Sequence, residues 1–148
     1  WLAIFFFAGL FVLVGALVET GVIKMLAVEA IKLTNGSVNA TAMLILWMSA
    51  FASAFIDNIP FVATLIPLIK DMGQLGLTNL DPMWWSLALG ACLGGNGTLI
   101  GASANVVVAS MAAQRGKQIS FLGFMKIAFP VMVLTVAISS VYVYIRYL

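Results

Sequence analysis

Long apolar runs dominate the chain and are interrupted at only a few places. Trp1 to Val18 is almost wholly apolar. As a helix rising 1.5 Å per residue it reaches about 27 Å, close to one hydrocarbon thickness. That predicts a first membrane span, ended by Glu19-Thr20-Gly21. From Val22 to Leu33 the pattern turns amphipathic, with Lys24, Glu29 and Lys32 set among Met25, Leu26, Val28 and Ile31. A helix of that kind lies at the interface and does not cross. Thr34 to Thr41 reads as a polar turn. Ala42 to Ile56 is apolar and helical, stops at Asp57-Asn58-Ile59-Pro60, and resumes from Phe61 to Ile69 before Lys70-Asp71 returns the chain to water. After Pro82 a helix runs through Leu93, breaks at Gly94-Gly95-Asn96-Gly97, and resumes near Ser103 toward Gln114. Its Trp84 and Trp85 suit an interfacial aromatic belt. Gln118 to Lys126 reads as a short amphipathic connector, and Ile127 to Ile145 as a closing span with Pro130 in its first turn, where proline is tolerated.

The predicted fold class is therefore all-α and polytopic. Residues 1–39 form a span plus an interfacial helix, 40–71 a re-entrant hairpin, 82–114 a broken transmembrane helix, and 115–148 a basic cytoplasmic loop with a final span. Composition agrees: 64% of the 148 residues are hydrophobic and 8% charged, far more apolar than one soluble core requires. The net charge of +2 is small and scattered, which excludes nucleic acid as a partner and leaves membrane lipid. One cysteine, Cys92, and no histidine leave neither a disulfide framework nor a zinc site. The opening at Trp1, with no basic n-region or cleavage site after it, reads as a piece of a longer polytopic chain and not as a signal peptide.

Residues 42–70 admit two readings, one long kinked span or a re-entrant hairpin with its tip at Asp57 to Pro60. Lysine and arginine placement does not decide between them. If the segment turns back, Arg115, Lys117 and Lys126 stand alone in a short cytoplasmic loop; if it crosses, they join Lys24 and Lys32, and the charge bias favours the opposite orientation. The pairing of two interrupted segments, 57–60 and 94–101, favours the hairpin, because paired interruptions are how transporters build solute sites.

Asp57 is the only carboxylate bounded by apolar runs on both sides. An intramembrane charge is costly unless paired or hydrated, so it marks a cation or proton site. Its plainer role is to N-cap the helix beginning near Ile59, with Pro60 in the first turn. Serine or threonine could cap without the charge, which favours the functional role, and Asn58 adds a neutral oxygen beside it. At Gly94-Gly95-Asn96-Gly97-Thr98 the glycines permit the φ values that unwind a helix. The carbonyls of the first half-helix then favour cations, and the N-terminus of the second favours anions. Close helix packing explains the GxxxG spacings Gly90/Gly94 and Gly97/Gly101, but not the gathering of Asn96, Thr98, Ser103 and Asn105. Candidate ligands are thus Asp57, Asn58, Thr64, Gly94, Gly95, Asn96, Gly97, Thr98, Ser103 and Asn105, with Na⁺ at Asp57, Asn58 and Asn96. Asn35, Asn39 and Asn96 open glycosylation sequons, the last at membrane depth. Lys24 and Lys32 read as snorkelling anchors. No Walker A or GxGxxG spacing and no nucleophile–base pair is present, so neither a cofactor nor an enzymatic reaction is expected.

The stretches SAFASAFIDNIPFVATLIPLI and LALGACLGGNGTLIGASANVVVA, together with FMKIAFPVMV, resemble the second half of the arsenite permease and P-protein branch of the ion transporter superfamily. The resemblance implies a dimeric secondary transporter with a fixed scaffold and a mobile part carrying two re-entrant hairpins. It places the hairpin-tip motif on Asp57, Asn58 and Pro60 and the unwound-helix motif on Gly94 to Asn105. It also puts Arg115 to Lys126 in the cytoplasm, and Asn35, Asn39 and the C-terminus opposite. The first-repeat motifs are absent here, so the N-terminal half of the same permease is an expected partner and this stretch alone is not expected to transport. The function expected is ion-coupled transport of an inorganic ion or small anion, with Na⁺ or H⁺ as coupling ion, in a plasma, inner or organelle membrane. A channel-like anion conductance and a non-transporting membrane scaffold are the alternatives. Arsenite, sodium, chloride and carboxylates all remain open as substrates.

Overall fold

A computed structural model describes residues 2–148; Trp1, the start of the expected first span, lies outside the described residues. Among these there are seven α-helices and no strand: α1 (Leu2–Glu19), α2 (Val22–Leu33), α3 (Val38–Ser53), α4 (Asn58–Gln74), α5 (Asp81–Gly94), α6 (Ser103–Gln114) and α7 (Phe121–Tyr147). At Gly21, whose φ of 75° is left-handed, Phe11–Glu19 and Val22–Leu33 meet at 69°. The apolar stripe of α2 buries Ile23 and Ala27 in a cluster shared with α4, so that part of the stripe is used in protein packing. On its outer side Lys32 pairs with Glu29 at 2.8 Å.

The expected polar turn Thr34–Thr41 is shorter than its composition suggests. Asn35 and Gly36, with φ of 50° and 69°, reverse the chain. The Ser37 hydroxyl then caps α3 by accepting from Ala40 N at 3.5 Å, so Val38 to Thr41 are already helical. At the far end α4 continues through Lys70 and Asp71 to Gln74.

α3 and α4 form a helical hairpin. Val38 and Ile45 near the start of α3 share a core with Leu68, Ile69 and Met72 late in α4, with Leu77, and with Met83 and Leu87 early in α5. A single straight helix would hold Ile45 and Met72 about 40 Å apart. α5 then runs parallel to α3 in the tightest contact of the fold. A Cβ on Gly90 would stand 2.8 Å from Ser49 Cβ, and one on Gly94 2.6 Å from Ala50 Cα. α7 returns antiparallel, with Tyr147 stacked on Trp85 at 5.5 Å between centroids and Met132 in the cluster of Leu46, Ala50 and Ala54.

Small residues on α3 make this approach possible, at the cost of two buried hydroxyls, Ser49 and Ser86, that find no partner among the described residues. Ser49→Ala removes an unsatisfied group and retains the Cβ, so it should leave stability unchanged or raise it by up to about 1 kcal/mol. Ser53→Ala, which loses a bond to Ala91 O at 2.7 Å, should lower it by about 1 kcal/mol. Denaturant unfolding of the two variants provides the comparison, and a destabilised Ser49→Ala would reveal a partner for that hydroxyl.

The closing segment departs from expectation. Ser120 Oγ accepts from Gly123 N at 3.1 Å and starts α7 at Phe121, so the expected connector is the first part of the final helix. Pro130 therefore lies in the helix interior, not in its first turn. A proline there frees the carbonyl one turn earlier and bends the helix, which membrane helices accommodate through their neighbours. α7 is long and apolar enough to cross a membrane. α6 buries none of its residues, and Val107, Val108 and Met111 stand exposed.

Candidate functional site: the hairpin apex against the helix break

The parallel course of α3 and α5 brings their C-terminal ends to one level, so the two interruptions meet. α3 ends at Ser53, and four residues later Asp57 opens α4 as its N-cap, with a carboxylate oxygen accepting from Ile59 N at 3.4 Å. α5 ends at Gly94. The chain then makes tight turns, Asn96 N to Leu93 O at 3.1 Å and Gly97 N to Gly94 O at 2.8 Å, before α6 begins at Ser103. The break is real, and of the two reasons expected for its glycines, φ freedom and close packing, the second is the one observed. None of Gly94, Gly95, Gly97 and Gly101 has a left-handed φ. They are required by close approach. A Cβ on Gly101 would lie 2.8 Å from Ala54 O, 2.8 Å from Gly95 O and 3.0 Å from Ser53 O; one on Gly97 would lie 3.0 Å from Met132 Cε and 3.3 Å from Ala54 Cβ.

Two side chains knit the contact. The Thr98 hydroxyl donates to Ala54 O across the two segments and accepts from Gly101 N at 3.1 Å. The Asn105 side-chain amide donates to Gly95 O at 3.1 Å and to Thr98 O at 3.0 Å, closing the loop onto the start of α6. The result is a gathering of backbone carbonyls from Ser53, Ala54, Gly95 and Gly101. Each carbonyl oxygen carries two lone pairs, so those already bonded keep acceptor capacity for a cation.

The candidate residues divide around this point. Asn58 Oδ1 stands 3.5 Å from the position of a Gly95 Cβ, half-buried between the break and an apolar groove of about 510 Å³. The groove is walled by Phe11, Ile59, Val62, Ala63 and Ile66, and Asn58 is its one polar side chain among the described residues. Asp57 is exposed at the apex. Thr64 lies farther along α4, its hydroxyl donating to Pro60 O at 2.9 Å. Asn96 faces the other way, into a groove of about 430 Å³ with Phe124, Ile127 and Val131 beside the start of α7. Ser103 is exposed at the start of α6. Gly94 packs on α3. Sequence reasoning did not single out Ser53 and Ala54, which contribute backbone carbonyls. Their signal is the small-residue stripe Ser49, Ala50, Ser53, Ala54 leading to the apex.

Paired helix interruptions set in an apolar helical fold are the construction of membrane transporters. Sequence comparison gives the same class and narrows it: residues 1–90 match the citrate transporter (CitMHS) family, and the chain belongs to that family. It is 48% identical to an uncharacterized transporter of Mycobacterium tuberculosis over 99% of this chain and 35% of that protein. It is 43% identical to the 46 kDa membrane protein of Mycobacterium leprae over 100% of this chain and 35% of that protein. The likeness to P-protein-like permeases also holds, with the P protein of Mus musculus 43% identical over 100% of this chain and 19% of that protein. The chain thus spans about a third of the length of the mycobacterial relatives it matches. No solved structure matches it.

Proposed function

We propose that the whole protein is a multi-pass, ion-coupled secondary transporter of a small anion, with carboxylates the first class to test. The observation that carries this reading is the meeting of hairpin apex and helix break around Gly101. An unsatisfied backbone group in hydrocarbon costs several kcal/mol, so two helix ends broken at one level need either a polar partner or a bound solute. Side-chain amides and hydroxyls supply part of that need here, and the gathered carbonyls leave acceptor capacity suited to Na⁺ or a proton carrier. The hairpin is read as re-entrant, and the exposed apolar faces of α6 and α7 as surfaces covered by lipid or by the rest of the protein. Binding at the apex offsets the charge of Asp57 and completes the coordination of the carbonyls, which lowers the cost of carrying this unit through the bilayer.

The test is uptake of labelled citrate, arsenite and chloride by proteoliposomes of the full-length protein, with Na⁺ and pH gradients imposed separately. Accumulation of one solute above equilibrium, lost when the driving gradient is collapsed, is the expected result. Anion flux that ignores both gradients would establish the conductance in its place, and no flux of any solute would favour the scaffold.

A further inference from the structure

We infer that Thr98 is a positioning residue, the bolt that holds the hairpin apex against the helix break, and not a ligand of the transported ion. Sequence pattern alone places Thr98 among the candidate ligands, as a hydroxyl beside three glycines. Its surroundings assign it another task. The side chain is completely buried, at 0% exposure. A hydroxyl has one hydrogen to donate, and that hydrogen goes to Ala54 O on the far side of the contact, while the oxygen accepts from Gly101 N at 3.1 Å.

The partner is telling. Ala54 is the C-cap of α3, and the last carbonyls of a helix have no partner within it. Here the missing donor comes from the other broken segment. Thr98 also accepts Asn105 at its own carbonyl, at 3.0 Å, so one residue joins the end of α3, the turn at Gly101 and the start of α6. Removing the hydroxyl leaves Ala54 O without a donor and releases the apex from the loop, although no ligand atom has been changed. The carbonyls of Ser53, Ala54 and Gly95 then lose the common spacing they hold around Gly101. The expected effect on ion affinity rests on the proposed coupled transport; the effect on the apex itself does not.

Hydrogen exchange of the full-length protein in nanodiscs separates the two. In the absence of Na⁺, Thr98→Val should raise exchange at residues 54–59 and 98–102 by at least about tenfold, because both buried hydrogen bonds of the hydroxyl are lost. Exchange in α7 should be unchanged, and Thr98→Ser should restore the wild-type rate. On titration with Na⁺, the concentration giving half-maximal protection of the apex should rise at least about tenfold in Thr98→Val. Wild-type exchange at the apex of Thr98→Val without Na⁺ overturns the inference, and a change confined to the Na⁺ titration identifies Thr98 as a ligand. Should wild-type protein show no protection by Na⁺ or by a change of pH, the coupled-transport reading falls, while the Na⁺-free comparison still decides the role of Thr98. If Thr98→Val does not fold, Thr98→Ala against Thr98→Ser makes the same comparison; failure of both hydroxyl-free variants beside a folded Thr98→Ser counts for the bolt.

Discussion

Gly94→Ala should destabilise the full-length protein by about 3 kcal/mol or more, the upper range for overpacking a close-packed interface. The reason is the kind of atom the new methyl group meets. A Cβ at Gly94 would stand 2.6 Å from Ala50 Cα and 2.8 Å from Ala50 C, both backbone atoms of α3 that cannot turn aside as a side chain can. To admit it, α3 and α5 must separate along their whole contact, and the apex must part from the break. Gly15→Ala is the control: among the described residues nothing lies within 4 Å of the added carbon, and alanine is the better helix former by up to about 1 kcal/mol. Thermal unfolding followed by size-exclusion should show Gly94→Ala shifted down or aggregated and Gly15→Ala unshifted or raised. Equal midpoints would mean that the α3–α5 contact is looser than described.

The largest effect on transport should come from Asp57→Asn, which is expected to abolish coupling to the driving ion while the protein folds and inserts normally. Asparagine and aspartate are equally good N-caps, and the cap bond from Ile59 N needs only a side-chain oxygen. The substitution therefore isolates the charge from the cap. Reconstituted Asp57→Asn should bind or exchange anion but fail to accumulate it against a gradient, whereas Asp57→Ala should lose about 1 kcal/mol of stability as well. Gradient-driven accumulation by Asp57→Asn at the wild-type rate would reduce Asp57 to a cap and move the coupling site to the carbonyls and Asn58.

How much of this was legible in the chain differs by element. The apolar runs gave α1 and α5 closely, because membrane-grade segments ended by Gly, Pro or Asp leave few alternatives. The amphipathic pattern of α2 was legible too, though part of its apolar stripe packs on a neighbour. Caps were harder to read: Ser37 and Ser120 start α3 and α7 earlier than the hydropathy change does, which is why Pro130 falls inside a helix. The break at Gly94 was visible as a glycine cluster, and its GxxxG spacings already carried the packing reason, but which neighbours demand the glycines was not legible. Contact with the backbone of Ala50 and Ala54, far off in sequence, and not φ freedom, requires Gly94 and Gly101. The direction in which Asn96 points was likewise closed to pattern, since tight turns, not helical periodicity, set it.

The parallel course of α3 and α5 has an electrostatic outcome. Two helices finish at one level and two others, α4 and α6, begin beside them, with Asn58 and Ala102 both next to Gly95. Each terminus carries roughly half an elementary charge, negative where a helix finishes and positive where it begins. The four together form a quadrupole with no net monopole. Such an arrangement favours a cation and an anion lodged as a neutral pair over either alone, a preference set by chain direction before any side chain is chosen.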